Sequence, residues 1–143
     1  MPYHTPNPIL AWQGHPMATL DQDPPVTDTW YTILDTTLRC RIQSLAVRQI
    51  NDETNAKNIE LAITLDGVAI ACGPTALNNN TFYYFYKNQT TAEVMVESTT
   101  QYTAMRYTDF RGHSIKIQAR NTSAAGTNQK LDGRCLYETL EEI

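Results

Sequence analysis

The sequence predicts an all-β protein, an antiparallel β-sandwich of jelly-roll or immunoglobulin-like type with about eight strands. Short apolar segments with period-two alternation recur about every 8 to 15 residues, with turn residues between them. The chain has 20 threonines and ten asparagines among its 143 residues. Threonine favours half-solvated strands and asparagine favours turns. In addition, no segment shows the apolar period of about 3.6 residues that is typical of a helix.

The best-specified element is a β-hairpin at residues 59–70. One face of its first strand is apolar and is formed by Ile59, Leu61, Ile63 and Leu65. Asp66 and Gly67 follow, and this pair readily adopts the positive φ angles of a tight hairpin turn. This turn role accounts for Asp66 without any role in catalysis.

Residues 1–27 are predicted to form an extended N-terminal arm, and residues 28–143 the sandwich domain. Six of the seven prolines lie in the arm, and proline lacks both the N–H and the free φ angle that a helix or a central strand needs. Proline also lowers the entropy that an extended segment loses on docking. We therefore expect the arm to lie on its own domain or, preferably, on a neighbouring subunit. Its candidate anchors are Leu10, Trp12, Met17 and Leu20.

Two strands are predicted after the arm, at residues 28–37 and 38–50. The apolar residues of the second strand change from one face to the other midway along it. A β-bulge near Gln43 and Ser44 would reconcile the two phases, because a bulge inserts one extra residue into one strand of a pair.

The strand at residues 81–87 has the densest aromatic content, with five consecutive rings from Phe82 to Tyr86. Alternation sends these rings to both faces of the strand, so we expect both faces to be covered. One cover would be the core, and the other a second layer, the arm or a partner subunit. Tyr83 and Phe85 are our candidate interface residues here.

The other elements follow from the same alternation. We expect Cys72 to Pro74 to end the return strand of the hairpin. Further strands are predicted at 92–98, 113–121 and 131–140, whereas 102–110 is either a strand or an irregular loop.

The composition excludes several classes of function. A formal charge of −4 and a pI near 5.2 argue against nucleic-acid binding, which normally needs a basic face. No apolar run approaches the length of a membrane span, and the first residues do not resemble a signal peptide. We therefore expect no nucleic-acid or membrane partner, and synthesis in the cytoplasm.

No motif for catalysis or metal binding is recognisable. The candidate ligands are widely spaced, without an HExxH or CxxC pattern: His4, His15, His113, Cys40, Cys72 and Cys135. We interpret the cysteines as buried, small apolar side chains. The sequence therefore predicts no catalytic residue, no metal site and no cofactor.

Three segments carry a family resemblance: Trp30 to Asp35, Ile63 to Gly67, and Phe110 to Ile117 with Asn121 after it. From about residue 29 to 138, the chain resembles small β-sandwich virion proteins of tailed phages, namely head-decoration, head–tail or tail proteins. The resemblance implies a structural role in the virion without catalysis. It assigns no functional residue.

Three functions remain open. The first is a capsid decoration or cementing subunit, located in the virion, that forms a homo-oligomer, preferably a trimer, and binds the major capsid protein or another virion protein. The second is a receptor- or glycan-binding module of a phage tail or fibre, with Tyr102 and Tyr107 as candidate contacts. The third, a glycan hydrolase or lyase, needs a pair of converging carboxylates that the sequence does not identify.

Overall fold

The computed structural model describes residues 9–87, 94–99 and 108–142. These residues form strands and no helix, which confirms the predicted all-β class; within them, no helix long and apolar enough to cross a membrane occurs. The strands in chain order are β1 (Leu10–Gly14), β2 (Ala18–Gln22), β3 (Tyr31–Thr36), β4 (Cys40–Ile50), β5 (Lys57–Leu65), β6 (Val68–Leu77), β7 (Phe82–Lys87), β8 (Val94–Thr99), β9 (Arg111–Gly112), β10 (Ile115–Asn121) and β11 (Lys130–Glu142).

Two antiparallel sheets pack face to face. The first has the order β1-β11-β4-β7-β8, with β2 also paired to β11 and β9 to β4, and the second has the order β3-β10-β5-β6. The pairing is nested, since β2 pairs with β11, β3 with β10, β4 with β7 and β5 with β6. Eight strands that fold over as one long hairpin in this way form a jelly roll. The structure thus selects one of the two sandwich types that the sequence left open.

The hairpin of β5 and β6 has the predicted form. Leu65 pairs with Val68, which leaves a two-residue turn between the strands. Asp66 and Gly67 have φ angles of 52° and 80°, as a type I′ turn requires. The apolar face of β5 is buried against the first sheet, so the predicted hairpin is confirmed.

The predicted bulge in β4 is also confirmed. Leu136 of β11 pairs with Ser44, but the next residue, Tyr137, pairs with Ile42. Gln43 is therefore the extra residue. It changes the phase of the strand, so that apolar side chains on both sides of the bulge face the core.

The return strand β6 is longer than predicted. Ile59 pairs with Thr75 and Leu61 with Cys72, so Gly73 and Pro74 form a bulge and the strand continues beyond them. Gly73 has a φ angle of 117°, and a Cβ there would lie 3.0 Å from the Ile59 carbonyl oxygen. Only glycine fits this bulge without strain, and the Gly-Pro pair that we interpreted as a strand end instead bends the strand.

The structure differs from the predicted division at residue 27. Residues 10–14 pair with residues 138–142, and residues 18–22 pair with residues 131–135 of the same chain. This part of the predicted arm thus forms two strands of the first sheet, on its own domain rather than on a neighbour. The prolines do not prevent this pairing, because β1 and β2 are edge strands and Pro16 lies in the break between them.

Buried amides close one end of the sandwich, which we call the polar end and define as the loops at residues 51–56, 78–81 and 122–129. The Gln49 side-chain N–H groups donate to the carbonyls of Leu77 (2.9 Å) and Asn55 (3.1 Å). The Asn51 amide donates to Gln49 Oε1 at 2.8 Å and also to the Asn55 carbonyl. Gln49 and Asn51 are almost fully buried, so these hydrogen bonds satisfy groups that water does not reach.

A second pair of buried amides holds the last loop of the polar end. Gln129 Oε1 accepts the backbone N–H of Gly126 at 2.9 Å, and its amide donates to Asn121 Oδ1 at 3.3 Å. The backbone N–H of Asp52 donates to the Thr127 carbonyl and so ties this loop to the first one. The polar end is therefore held by the chain's own hydrogen bonds.

Candidate functional site

The candidate site is the edge of the first sheet formed by β1. Within the described ranges, β1 pairs with β11 on one side and with no strand on the other. The His15 N–H donates to the Tyr137 carbonyl. Because bonded and unbonded residues alternate along an antiparallel ladder, Ala11 and Gln13 also bond to β11. The N–H and C=O groups of the other three residues of β1 therefore point outward, and these residues are Leu10, Trp12 and Gly14.

Trp12 is fixed on the outer face of this edge by charged neighbours. The Arg41 guanidinium lies 4.1 Å from the centre of the Trp12 ring, a cation–π geometry. Arg41 also pairs with the Glu138 carboxylate at 3.3 Å, and Gln43, the bulge residue, donates to the same carboxylate. The bulge in β4 thus contributes to holding the side chain at the centre of β1.

His15 holds the break between β1 and β2. Its ring stacks on Tyr137, with centroids 4.8 Å apart and planes 3° apart. Its Nε2 atom contacts Thr139 Oγ1 and lies 3.3 Å from a Glu141 carboxylate oxygen. No local pattern predicts this cluster, since the partners of His15 lie more than 120 residues away.

The predicted anchors of the arm divide into two groups. Leu20 is buried in the main core, while Trp12 and Met17 are half-buried and Leu10 is exposed. Leu20 therefore attaches β2 to the sandwich, and Leu10 and Trp12 remain on the edge.

The predicted interface residues of the aromatic strand, Tyr83 and Phe85, face the core of their own domain. Their predicted interface role is corrected to a core role, because period-two alternation turns both side chains inward. Phe82 and Tyr84 face the opposite side and are also buried, in a small cluster with Ala46. The expectation that both faces of this strand are covered is thus confirmed.

Charged side chains lie beside the outward-facing Phe82. The guanidinium carbons of Arg48 and Arg134 are 4.4 Å and 4.9 Å from its ring centre. Asp132 accepts a hydrogen bond from Arg48 at 2.8 Å and neutralises part of this positive charge. The arrangement covers an aromatic ring with paired charges, which is a structural role.

Asp66 has a second role that its turn position did not reveal. Its carboxylate accepts the backbone N–H groups of His113 and Ser114, and its own N–H donates to the Ser114 carbonyl at 3.0 Å. A Cβ on Gly112 would lie 3.0 Å from the carboxylate. Asp66 thus connects the β5–β6 turn to the β9–β10 turn and belongs to the scaffold.

Exposed apolar side chains concentrate at the end of the sandwich opposite the polar end. We call it the hairpin end and define it as residues 37–39, 66–67 and 113–114 with the start of β1. Four of the five large exposed hydrophobics of the described residues belong to this end or adjoin it, with exposed fractions of 45 to 70%: Ile9, Leu10, Leu38 and Val68. Exposed apolar side chains that concentrate in one region are typical of an interaction surface.

The three cysteines are free and buried, as predicted. Burial raises the pKa of Cys40 and of Cys72 to about 12. Burial, together with the neighbouring Cys40, also raises the pKa of Cys135. The thiols therefore stay protonated near neutral pH and are poor nucleophiles.

In the part of the chain that the structure describes, no group of three or more His, Cys, Asp or Glu side chains is placed to hold a metal ion. The candidate glycan contacts Tyr102 and Tyr107, and His4, lie outside the described residues.

A comparison of the chain with protein-family models, curated proteins and solved structures finds no significant match.

Proposed function

We propose that the chain is a non-enzymatic structural subunit of a virus particle, a capsid decoration or cementing protein that assembles with copies of itself and with the major capsid protein or another virion protein. The observation that carries the proposal is the jelly-roll topology with an uncharged edge at β1 that no other strand of the described residues pairs. Viral capsid proteins are among the main users of the jelly roll. An open edge provides backbone groups through which a subunit can bind a neighbour.

The hairpin end supports the same proposal. Ile9, Leu10, Leu38 and Val68 keep large apolar side chains in solvent, although the chain buries a full core elsewhere. Burying such a side chain contributes about 1.5 to 3 kcal/mol. A subunit that docks on a particle through this end would gain that free energy without a change in its fold.

The proposal is tested on particles. Antibodies raised against the purified chain should label the shell of virus particles isolated from infected cultures of its host, and mass spectrometry should detect the chain in those particles. Absence of the chain from purified particles would overturn the proposal. Its presence at the tail tip alone would favour the second candidate.

The second candidate is a receptor- or glycan-binding module, which the jelly roll also favours because many lectin domains share this architecture. It predicts that the chain binds sugars on a glycan array and that Tyr107→Ala abolishes the binding. Val26→Ala, at an exposed apolar residue, is the control and should bind like the wild type.

A further inference from the structure

The open edge of β1 differs from the other sheet edges. Edge strands usually carry a charge, a proline or a bulge that prevents pairing with another chain. In the second sheet, β3 carries Asp35, and β6 carries the bulge at Gly73 and Pro74. In the first sheet, β8 carries Glu97 and β2 carries Asp21. The sequence of β1 is LAWQG, without a charge or a proline.

We propose that two copies of the chain pair through β1, antiparallel and centred on Trp12, so that the first sheets of both copies form one continuous sheet. This inference rests on the proposed assembly role and names the contact between subunits. In this register Trp12 lies opposite Trp12 of the second copy, and Leu10 lies opposite Gly14.

The backbone is self-complementary in this register. The outward N–H and C=O groups belong to Leu10, Trp12 and Gly14, and these are the residues that would face each other. Each hydrogen-bonded pair of an antiparallel ladder exchanges two bonds. The dimer would therefore form about six bonds between subunits and satisfy every outward backbone group of both β1 strands.

The side chains are complementary as well. Leu10 is 53% exposed, and the space around the Gly14 Cα is open, with no atom within 4 Å of an added Cβ. Leu10 of one copy would cover this open position of the other. Directly opposed like charges destabilise a strand pair, and β1 has none. A symmetric contact of this kind makes a dimer the repeating unit rather than the trimer favoured from the sequence.

The register is tested by disulfide trapping. Cα atoms of a hydrogen-bonded pair are about 5.5 Å apart, within the disulfide range of about 4.4 to 6.8 Å. A tagged Leu10→Cys chain mixed with an untagged Gly14→Cys chain should cross-link under mild oxidation, whereas neither variant alone should. The native cysteines do not compete because they are buried. Cross-linking within each single variant, or none in the mixture, would overturn the proposal.

Proline substitution tests the backbone contact. The N–H of residue 10 points away from β11, so Leu10→Pro should leave the monomer folded and remove one donor from each end of the dimer contact. Sedimentation equilibrium should show the wild type at twice the 16.2 kDa mass of the chain, and the variant should dissociate at a concentration at least about ten-fold higher. Leu10→Ala separates the loss of the side chain from the loss of the donor. If Leu10→Pro dissociates at the same concentration as the wild type and Leu10→Ala, the proposal is wrong.

Different results would overturn the virion role and the pairing through β1. A chain that is present in virus particles but does not cross-link through β1 would overturn the edge pairing alone. A chain that cross-links as described but is absent from particles would overturn the virion role alone.

Discussion

The two ends of the sandwich are closed in opposite ways. The polar end buries amide side chains whose hydrogen bonds stay within the chain, such as those of Gln49 and Asn51. The hairpin end is held by the Asp66 carboxylate and leaves Leu38 and Val68 in solvent. The polar end therefore needs nothing outside the chain, whereas the hairpin end retains apolar surface that a partner can bury. Substitutions at the two ends should therefore differ in their effect on stability.

The largest effect is expected at the polar end. Gln49→Leu leaves the buried Leu77 carbonyl without its donor, removes one of the two donors to the Asn55 carbonyl and removes one acceptor of the Asn51 amide, so the free energy of unfolding should fall by about 3 kcal/mol. Urea denaturation measures this loss. Gln13→Leu, the same change at an exposed residue, is the matched control and should alter stability by less than about 0.5 kcal/mol. If Gln49→Leu and Gln13→Leu change the free energy of unfolding equally, the buried amides do not stabilise the polar end.

Substitution of Asp66 should lower stability at the hairpin end. Asp66→Ala removes the acceptor for two backbone N–H groups and places alanine at a φ of 52°, so we expect a loss of about 2 kcal/mol. Asp66→Asn keeps one side-chain oxygen and a residue that tolerates this conformation, and it should lose less than half as much. If both variants unfold alike in urea, the carboxylate does not connect the two turns.

Alkaline pH tests the core that both ends share. The folded state raises the pKa of the Cys40 and Cys72 thiols from 9.0 to about 12. The unfolded thiols therefore lose their protons first, and stability is complete below pH 9 and declines as pH rises toward 12. Thermal unfolding should show Tm falling by about 5 °C between pH 8 and pH 9.5. Cys72→Ala should make the fall of Tm with pH shallower. If Tm falls as steeply in this variant as in the wild type, ionisation of the Cys72 thiol does not cause the loss of stability.

The smallest effect on stability is expected at the exposed apolar residues. Leu38→Ser and Val68→Ser should change the free energy of unfolding by less than about 0.5 kcal/mol, because both side chains are already in solvent. Leu61→Ala, in the core, should cost about 3 kcal/mol by comparison. If the two surface variants lower the free energy of unfolding as much as Leu61→Ala does, the hairpin end is part of the core.

Local patterns in the sequence predicted the local parts of the fold. The Asp66-Gly67 turn depends on two adjacent residues, and the bulge at Gln43 follows from a phase change within one strand. Both predictions were correct because the physics that determines them operates over a few residues.

The features of the fold that the sequence did not predict depend on contacts between distant segments. Nothing within residues 10–22 indicates that they pair with residues 131–142, and the six prolines of residues 1–27 argued for an arm. The jelly roll, rather than another sandwich, also follows from the order of strands across two sheets. For the same reason the sequence did not reveal His15 at the break between β1 and β2, or the inward direction of Tyr83.

The length of β11 has a consequence for synthesis. This strand pairs with β1 through residues 138–142, with β2 through residues 131–135, and with β4 on its other side. During synthesis, β1 and β2 emerge more than 100 residues before the segment of β11 with which they pair. The first sheet therefore closes only after residues 131–142 have been translated, and such non-local pairing folds slowly. Until then the uncharged β1 strand has neither of its edges paired with β11, which exposes it to association with other chains.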